Sequence, residues 1–286
     1  MAIKGLTTPV FGEYNYNGGS VTYTNGFVCG SAIEYGVEIE TSDNNPLYGD
    51  DHIIENDYGT FNTGTLTLNT SDFDQYTSKR LLGLKEVQFT VGEATVTELV
   101  TDDDAKTTEK GFGIIETHQI NDVDKYRAVI LCKVGMSIPS EAATTKGESI
   151  EWQTREIEGT INRSDEDTAN YRHPWKREAW FDTQSQAMEY LKTVLNVLNQ
   201  VIVKSEEGST SGQTLITVQN PVDGSDYKYS KSGPIPNYKQ NLTEWTELNE
   251  GTPITATNGS TLYVAQVDSD GKALGCGTVT VVAKQE

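Results

Sequence analysis

The chain has 286 residues, enough for one large or two ordinary domains with their own cores, and we expect two. Its 42 acidic against 22 basic residues give a formal net charge of −20. This charge argues against a surface that binds nucleic acid tightly, because neutralisation of the phosphates needs clusters of Lys and Arg. Contact with DNA without adhesion is compatible with it.

The first clear strand pattern covers residues 33–40, which alternate strictly between apolar and polar side chains. We expect the apolar face to pack and the polar face to meet water. The apolar face carries Ile33, Tyr35, Val37 and Ile39, and the polar face carries Glu34, Glu38 and Glu40.

A long polar segment, residues 41–60, follows this strand. Loops beyond about 12–15 residues are usually functional or disordered. The segment contains apolar residues, which indicates docking onto a partner, and its docking candidates are Leu47, Tyr48, Asp50, Asp51, Ile53 and Ile54. A second such segment is predicted at residues 162–176.

Further strands are predicted at residues 85–91, 94–100, 112–118, 126–134 and 150–161. The run 126–134 is apolar on both faces, as in a covered central strand. Together these patterns predict an antiparallel sheet of the sandwich or barrel type with little helix.

Two helices interrupt the strands. The first follows Ser71, which can cap it, and Gly83 permits its left-handed exit. The second begins at Thr183, where Thr183 and Gln186 have the spacing of a capping box. An apolar stripe at helical spacing then runs from Ala187 to Leu198, and we expect it to lie across the sheet.

Residues 205–212 are rich in Ser and Gly and predict a flexible linker. The predicted domains are therefore 1–204 and 213–286. In the second, strand patterns at 215–219, 226–230, 252–257, 261–267 and 278–283 alternate with turns, including a hairpin turn at Asp268–Gly271. They predict a small β-sandwich that resembles the immunoglobulin-like domains of phage virion proteins.

Residues with catalytic or metal-binding chemistry are scattered. Cys29, Cys132 and Cys276 are too far apart for a zinc motif, and we expect reduced, mostly buried thiols. His52, His118 and His173 lack metal-binding spacing. Acidic runs at 102–104 and 165–167 predict solvated turns. Glu156 and Glu158 share a strand face and could imitate a glycosidase pair, although carboxylate pairs arise by chance in so acidic a chain. We predict no catalytic residue, metal site or cofactor.

Residues 1–10 lack the basic start and apolar core of a signal peptide, and no stretch approaches the roughly 20 apolar residues that span a bilayer. We therefore expect synthesis in a cytoplasm and no membrane insertion.

Four separated blocks of sequence indicate a family. They are residues 63–83, Tyr126–Val134, Thr144–Thr154 and Trp180–Ala187. Together they resemble the major tail tube proteins of long-tailed bacteriophages, in that family's order and over roughly residues 1 to 200. The resemblance implies hexameric rings whose inner strands join into one barrel, stacked into a hollow tube through which viral DNA leaves the capsid.

The resemblance also implies partners and a location. The partners are copies of the chain, a tape-measure protein, and terminator or distal tail proteins. DNA would contact the tube only while it passes through. The protein would be synthesised in the bacterial host and located in the virion tail. Residues 41–60 would reach the neighbouring ring. Glu34, Glu38 and Glu40 would face the lumen, where like charge discourages DNA from sticking.

Two alternatives stay open. A tail terminator or distal tail protein shares the fold but forms a single ring, so it has no identical ring for residues 41–60 to contact. A secreted β-sandwich adhesin or carbohydrate-binding module would need an export signal, which the first residues do not provide.

Overall fold

A computed structural model describes residues 2–71, 74–92, 94–103, 105–140, 145 and 154–285. The chain divides into two compact units, the first formed by Met1–Tyr23 and Val28–Leu191 and the second by Thr24–Phe27 and Lys192–Glu286. In the described residues the fold is mainly β, with largely antiparallel sheets and two helices, which confirms the predicted fold class.

The first unit begins with a long hairpin and consists mainly of strands, with two helices. Its elements in chain order are β1 (Ala2–Asn17), β2 (Ser20–Val28), β3 (Ala32–Thr41), β4 (Asn45–Gly49), β5 (His52–Asp57), β6 (Phe61–Thr70), α1 (Gln75–Leu82), β7 (Lys85–Val91), β8 (Ala94–Val100), β9 (Lys110–Ile120), β10 (Val123–Met136), β11 (Arg155–Asn162), β12 (Lys176–Phe181) and α2 (Gln184–Leu195). The last turn of α2 belongs to the second unit.

Eight strands form the large sheet of this unit, in the order β2-β1-β9-β10-β11-β6-β3, with β12 paired to β10. The sheet curls on itself, because β3 at one end of this order lies against β1 near the other end. Side chains from the inner faces of these strands are fully buried, among them Phe11, Leu66, Leu68, Phe112, Ile114, Val129, Ile157 and Ile161. The result is a barrel-like core.

The start of α1 differs from the prediction. Asp74, not Ser71, caps the helix, and its carboxylate accepts a hydrogen bond from the Thr77 amide at 2.7 Å. The amide of Ser71 instead donates to the Ser31 carbonyl, which ties Ser71 to the chain before β3. Gly83 ends the helix in the left-handed conformation, with φ of 68°, as predicted.

The start of α2 confirms the predicted capping box. The Thr183 amide donates to the Gln186 side chain, and the Gln186 amide donates to the Thr183 hydroxyl at 3.3 Å. Within the predicted stripe, Ala187 and Leu191 are fully buried, and the ring of Tyr190 lies 5.5 Å from that of Phe181 on β12.

The second unit is a two-sheet sandwich with strands β13 (Asn199–Gln200), β14 (Val203–Glu207), β15 (Gln213–Val218), β16 (Asp226–Ser230), β17 (Thr246–Glu247), β18 (Ile254–Thr255), β19 (Thr261–Val267) and β20 (Ala273–Thr280). One sheet has the order β13-β20-β19-β16-β17 and the other β14-β15-β18. The Asp268–Gly271 hairpin turn is present, with the Gly271 amide donating to the Asp268 carbonyl.

Two apolar clusters lie on opposite faces of the five-stranded sheet. One joins it to the three-stranded sheet through residues such as Ile216, Ile254 and Val264. The other gathers Leu198, Leu242, Ala265, Val267 and Ala273, with Tyr238 and Trp245 packed against it. Apolar side chains therefore cover both faces of this sheet.

The predicted linker at residues 205–212 is wrong. Ser205–Glu207 belong to β14, which pairs with β15, and residues 208–212 form the turn between these strands. The Gly208 amide donates to the Gln213 carbonyl and closes that turn. Ser and Gly thus mark a hairpin turn here, and the boundary between the units falls earlier, inside α2.

Part of the second unit comes from β2. The Gly26 amide donates to the Asn196 carbonyl at 2.9 Å, and Gly26 bridges to Val197. A Cβ atom on Gly26 would lie only 2.4 Å from the Leu195 carbonyl oxygen, so this approach requires glycine.

Several predicted features lie outside the described residues. They are most of the resemblance block Thr144–Thr154, the start of the strand predicted at 150–161, Asp72 and Asp104.

Candidate assembly surfaces

A polar face with five carboxylates covers the β3-β6-β11 part of the large sheet. The central strand is β6, and its residue Asn69 has Glu34 of β3 on one side and Glu156 of β11 on the other. In the same way, Thr67 of β6 has Gly36 on one side and Glu158 on the other. Side chains directly opposite each other share a face of the sheet. The predicted set Glu34, Glu38 and Glu40 therefore shares one face with Glu156, Glu158 and the threonines of β6.

We call this the acidic face. Its carboxylates are Glu34, Glu38, Glu40, Glu156 and Glu158, and all five residues are exposed. No ion pair between described residues involves any of them. The face is therefore strongly negative and hydrated, and it offers DNA phosphates no basic partner.

The opposite side of β3 packs less completely than predicted. Tyr35 and Val37 are half-buried, opposite the buried Leu68 and Leu66, but Ile33 is 49% exposed and Ile39 is 39% exposed. Ile33 lies at a register irregularity between Ala32 and Glu34, and Ile39 is opposite Gly64, which has no side chain to pack against it. In addition, β3 has no strand on its outer side in the described part of the chain.

A buried carboxylate holds β3 across the barrel. Glu116 on β9 is 2% exposed, and it accepts hydrogen bonds from the Tyr35 hydroxyl on β3, from Nε2 of His118 at 2.7 Å and from Arg127 on β10 at 3.1 Å. Arg127 also bonds Glu178 on β12. One side chain thus links strands that are distant in the order of the sheet.

The chemistry of this cluster favours an ionised Glu116. Burial alone would raise the pKa of Glu116, but the hydrogen bonds from Tyr35 and His118 and the charge of Arg127 bring the pKa below its ordinary value. Burial, and then the bond to Glu116, raise the pKa of Tyr35. Glu116 is therefore a carboxylate whose hydrogen-bond donors are already in place. The Glu116 cluster connects β3, β9, β10 and β12.

Residues 41–60 form a hairpin, not the predicted loop. β4 and β5 pair from Asn45 opposite Asp57 to Gly49 opposite His52, and we call this hairpin the arm. The arm makes no strand pair with the large sheet. Its predicted apolar docking residues are all exposed: Leu47 (58%), Tyr48 (64%), Ile53 (52%) and Ile54 (63%). Asp50 and Asp51 form the turn at its tip, both with positive φ.

The base of the arm is fixed by aromatic and backbone contacts. The ring of Phe61, just after the arm, stacks on Trp175 with centroids 4.7 Å apart and planes 6° apart. Arg163 donates to the Phe61 carbonyl. The Ser42 amide donates to the Thr60 carbonyl, and the Thr60 amide donates to the Ser42 hydroxyl. These contacts preorganise the direction in which the arm leaves the barrel.

The second long segment, residues 162–176, supplies Trp175 and Arg163 and is itself tied to the barrel. The Tyr14 hydroxyl donates to Asp165 at 3.0 Å and accepts from the Asp165 amide, while Lys133 pairs with the Asp165 carboxylate at 2.6 Å. The hydrogen bond from Lys133 is the main cause that lowers the pKa of Asp165. The acidic run 165–167 is thus part of an anchored loop.

A second exposed hairpin, β7 and β8, forms a two-stranded sheet of its own, which we call the ribbon. Val87, Phe89, Val91 and Val96 lie on one of its faces and are 46%, 56%, 59% and 44% exposed. An isolated two-stranded hairpin is marginally stable in water, and an apolar face needs a covering surface. The sequence predicted both strands but not this exposure.

His118 belongs to the Glu116 cluster, and the other histidines and the cysteines have separate surroundings in the described residues. His52 contacts the Asp50 carbonyl, and His173 contacts the Ser164 carbonyl. Cys29 and Cys132 are buried and Cys276 is half-buried, and burial raises the pKa of Cys29 and Cys132 to about 12. Among the described residues, no group of three or more His, Cys, Asp or Glu residues is placed to hold a metal ion.

Neither described helix is long and apolar enough to cross a membrane.

The comparisons with known proteins concern the second unit. Residues 206–284 match the family model for the S-layer protein SbsC C-terminal domain. The match covers β15 to β20 and lies within the second unit. This part of the chain is thus similar to an extracellular surface β-domain. No curated protein matches the chain.

Proposed function

We propose that this chain is a structural subunit that assembles with copies of itself into stacked hexameric rings, which form the hollow tail tube of a long-tailed bacteriophage. In this proposal the first unit builds the tube, and the second unit is an immunoglobulin-like domain on its outer surface. The chain acts by contact and carries out no reaction.

The single observation that carries the proposal is the concentration of exposed apolar side chains on two hairpins of the first unit. The arm and the ribbon together expose eight large apolar side chains at between 44% and 64%, while the barrel beneath them contains fully buried residues such as Phe11 and Phe112. Monomeric proteins rarely expose such patches. Contacts with further copies would cover them.

The arm supports contact between stacked rings. It carries four exposed apolar residues at a fixed base, so little conformational freedom is lost on docking. Four acidic residues also lie in the arm, Asp50, Asp51, Glu55 and Asp57, with no Lys or Arg, so we expect assembly to improve as salt screens their repulsion.

The acidic face supports contact with a DNA path. Its five carboxylates without basic partners would repel the phosphate backbone and let a duplex slide past. We propose that this face, including the predicted lumen residues Glu34, Glu38 and Glu40, lines the bore.

The similarity of residues 206–284 to an S-layer protein domain favours a second candidate. Under this reading the chain is a cell-surface protein or adhesin, and its exposed hairpins contact another protein at that surface. Both readings place the second unit at an outer surface, and they differ in what the first unit builds.

Negative-stain microscopy of the purified chain tests the proposal. We expect hollow filaments of uniform width. Monomers or flat lattices at high protein concentration would contradict the tube and favour the surface-protein reading.

A labelled variant tests the position of the second unit. A biotinylated peptide inserted between Ser269 and Asp270, in the exposed hairpin turn, should bind streptavidin-gold along the whole filament. If the free subunit binds gold but the filament does not, the second unit lies inside the assembly and its decorating role is wrong.

A further inference from the structure

Several strands of the first unit have an outer edge without a strand beside it in the described residues. They are β2 and β3 at the ends of the large sheet, β12, both strands of the arm and both strands of the ribbon. The edges of β3 and of β7 match each other in side-chain pattern. The outer side of β8 differs, because the Thr97 carbonyl accepts a hydrogen bond from the Gln75 side chain of α1 at 2.9 Å. Unpaired strand edges are templates for pairing with another chain.

β3 and β7 each have an apolar face and a polar face. On β3, Ile33, Tyr35, Val37 and Ile39 alternate with Glu34, Glu38 and Glu40. On β7, Val87, Phe89 and Val91 alternate with Glu86, Gln88 and Thr90. If the strands lie side by side with apolar next to apolar, the exposed Ile33 and Ile39 meet the exposed apolar face of the ribbon.

Charge favours this orientation over the reverse one. Glu86, on the polar side of β7, pairs with Lys79 of α1, so its negative charge is already balanced when it joins the acidic face. The reverse orientation would place Val87 and Phe89 among five carboxylates and leave Ile33 and Ile39 uncovered. The side-chain pattern of β3 and β7 therefore favours the first orientation. Two charged residues, Lys85 and Glu98, also lie on the apolar side of the ribbon, at the end where Val87 is opposite Glu98.

We propose that β7 of one copy pairs with the outer edge of β3 of a second copy, so that the ribbon extends the large sheet from subunit to subunit. The inference rests on the proposed function as a ring-forming subunit, and it names the contact that closes the ring. Gln88 and Thr90 then continue the acidic face of the next subunit, and the bore has an unbroken polar wall.

Cysteine crosslinking tests the pairing. One chain carries Phe89→Cys, and the others carry Ile33→Cys, Val37→Cys or Ile39→Cys, one substitution each. Each of the three is mixed with the Phe89→Cys chain before assembly and then oxidised mildly. Neighbouring strands lie about 4.8 Å apart, within the roughly 4.4–6.8 Å between Cα atoms that a disulfide spans. We expect an interchain dimer on a non-reducing gel for at least one pair.

The matched control is Val96→Cys. Val96 lies directly opposite Phe89 on β8, on the same exposed face but one strand further from the proposed partner, at a distance of about 10 Å from β3. We expect no dimer from Val96→Cys with any of the three β3 variants. Each variant oxidised alone gives the background of the three native thiols, which are buried or half-buried.

Circular dichroism and microscopy of the same samples separate the outcomes. If the chain forms hollow filaments and folded Phe89→Cys subunits give no dimer with any β3 variant, the pairing is wrong and the tube proposal stands. Dimers from Val96→Cys would also overturn the inference, because they would place β8 at the contact. If the wild-type chain forms neither rings nor filaments, the proposed function and the inference both fail.

Discussion

The two units of this chain cover their apolar strands in different ways. In the second unit, apolar clusters lie on both faces of the five-stranded sheet, and a three-stranded sheet and the segment with Tyr238 and Trp245 cover them. In the first unit the curled sheet encloses a buried core, but the arm and the ribbon hold their apolar side chains out to solvent.

This difference suggests a division of roles. The second unit exposes four large apolar residues at between 41% and 51%, namely Ile202, Val222, Ile235 and Val282, whereas the arm and the ribbon together expose eight. Burial against another copy would therefore stabilise the first unit more than the second. The first unit is thus the candidate for assembly and the second for an independent surface domain. The predictions below test that contrast, beginning with the largest expected effect.

The largest effect is expected from Glu116→Ala, which removes the centre of the Glu116 cluster. Breaking a buried ion pair from one side costs about 3–5 kcal/mol. The unfolding transition of the first unit, followed by urea denaturation, should move by that amount, while the transition of the second unit stays in place. Glu178→Ala is the control: Glu178 also pairs with Arg127 but is exposed, so its loss should cost under about 1 kcal/mol.

The same cluster gives a pH dependence. Because the folded-state pKa of Glu116 is lowered, its contribution is present above the ordinary pKa of 4.5 and is lost as the pH falls through the lower folded value. The stability difference between wild type and Glu116→Ala should therefore shrink on acidification below pH 4.5. A difference that does not change with pH would show that Glu116 acts without its charge.

Shortening the arm should abolish stacking and leave the barrel folded. Replacing residues 44–57 by a short Gly-Ser turn removes the exposed apolar residues but no strand of the large sheet. We expect rings but no filaments by sedimentation and microscopy, with an unchanged circular dichroism spectrum apart from the lost hairpin. Normal filaments from the shortened chain would place the stacking contact elsewhere.

Weakening the base of the arm should have a smaller effect. Trp175→Ala removes the stacking on Phe61, which is worth about 0.5–1.5 kcal/mol beyond the buried area. We expect the critical concentration for filaments to rise by up to roughly tenfold. Trp180→Ala, at an exposed tryptophan with no ring contact to the arm, is the control. Equal shifts in both variants would argue against a positioning role for Trp175.

Reversing the charge of the acidic face should act on DNA passage more than on assembly. Changing Glu34, Glu38 and Glu40 to Lys leaves the apolar side of β3 in place, so filaments should form. DNA release from virions should slow at low salt and recover as salt rises, because attraction between the new lysines and phosphates is screened.

The matched control for this variant carries Glu207, Glu247 and Glu250 changed to Lys. These residues are exposed in the second unit, and the change in net charge is the same. Release from the control should match wild type. Equal slowing in both variants would mean that the charge of the whole particle, and not the acidic face, controls release.

Local sequence patterns predicted most of the strands and both helices, because alternation and capping are short-range signals. The strict alternation of residues 33–40 became β3, and the capping box at Thr183 begins α2. Composition alone gave a wrong prediction where the same residue types occur in two kinds of structure, a flexible linker and a hairpin turn. Ser and Gly at 205–212 indicated a linker, but the same residues form the hairpin turn between β14 and β15.

The candidate surfaces were predictable only in part. The grouping of Glu34, Glu38 and Glu40 followed from alternation, whereas their joining with Glu156 and Glu158 depends on the pairing of β11 with β6, which no local pattern encodes. The Glu116 cluster joins residues on four strands and was missed for the same reason. A weak signal was present: Glu116 and His118 lie on the same alternating side of the strand as Phe112 and Ile114.

Hydrogen exchange in the free subunit and in the assembled filament tests the contrast between the units most directly, because it reports protection strand by strand. The account predicts that assembly adds protection in β3, in the arm and in the ribbon, and leaves β15 to β20 unchanged. New protection confined to the second unit, or none in the two hairpins, would contradict it.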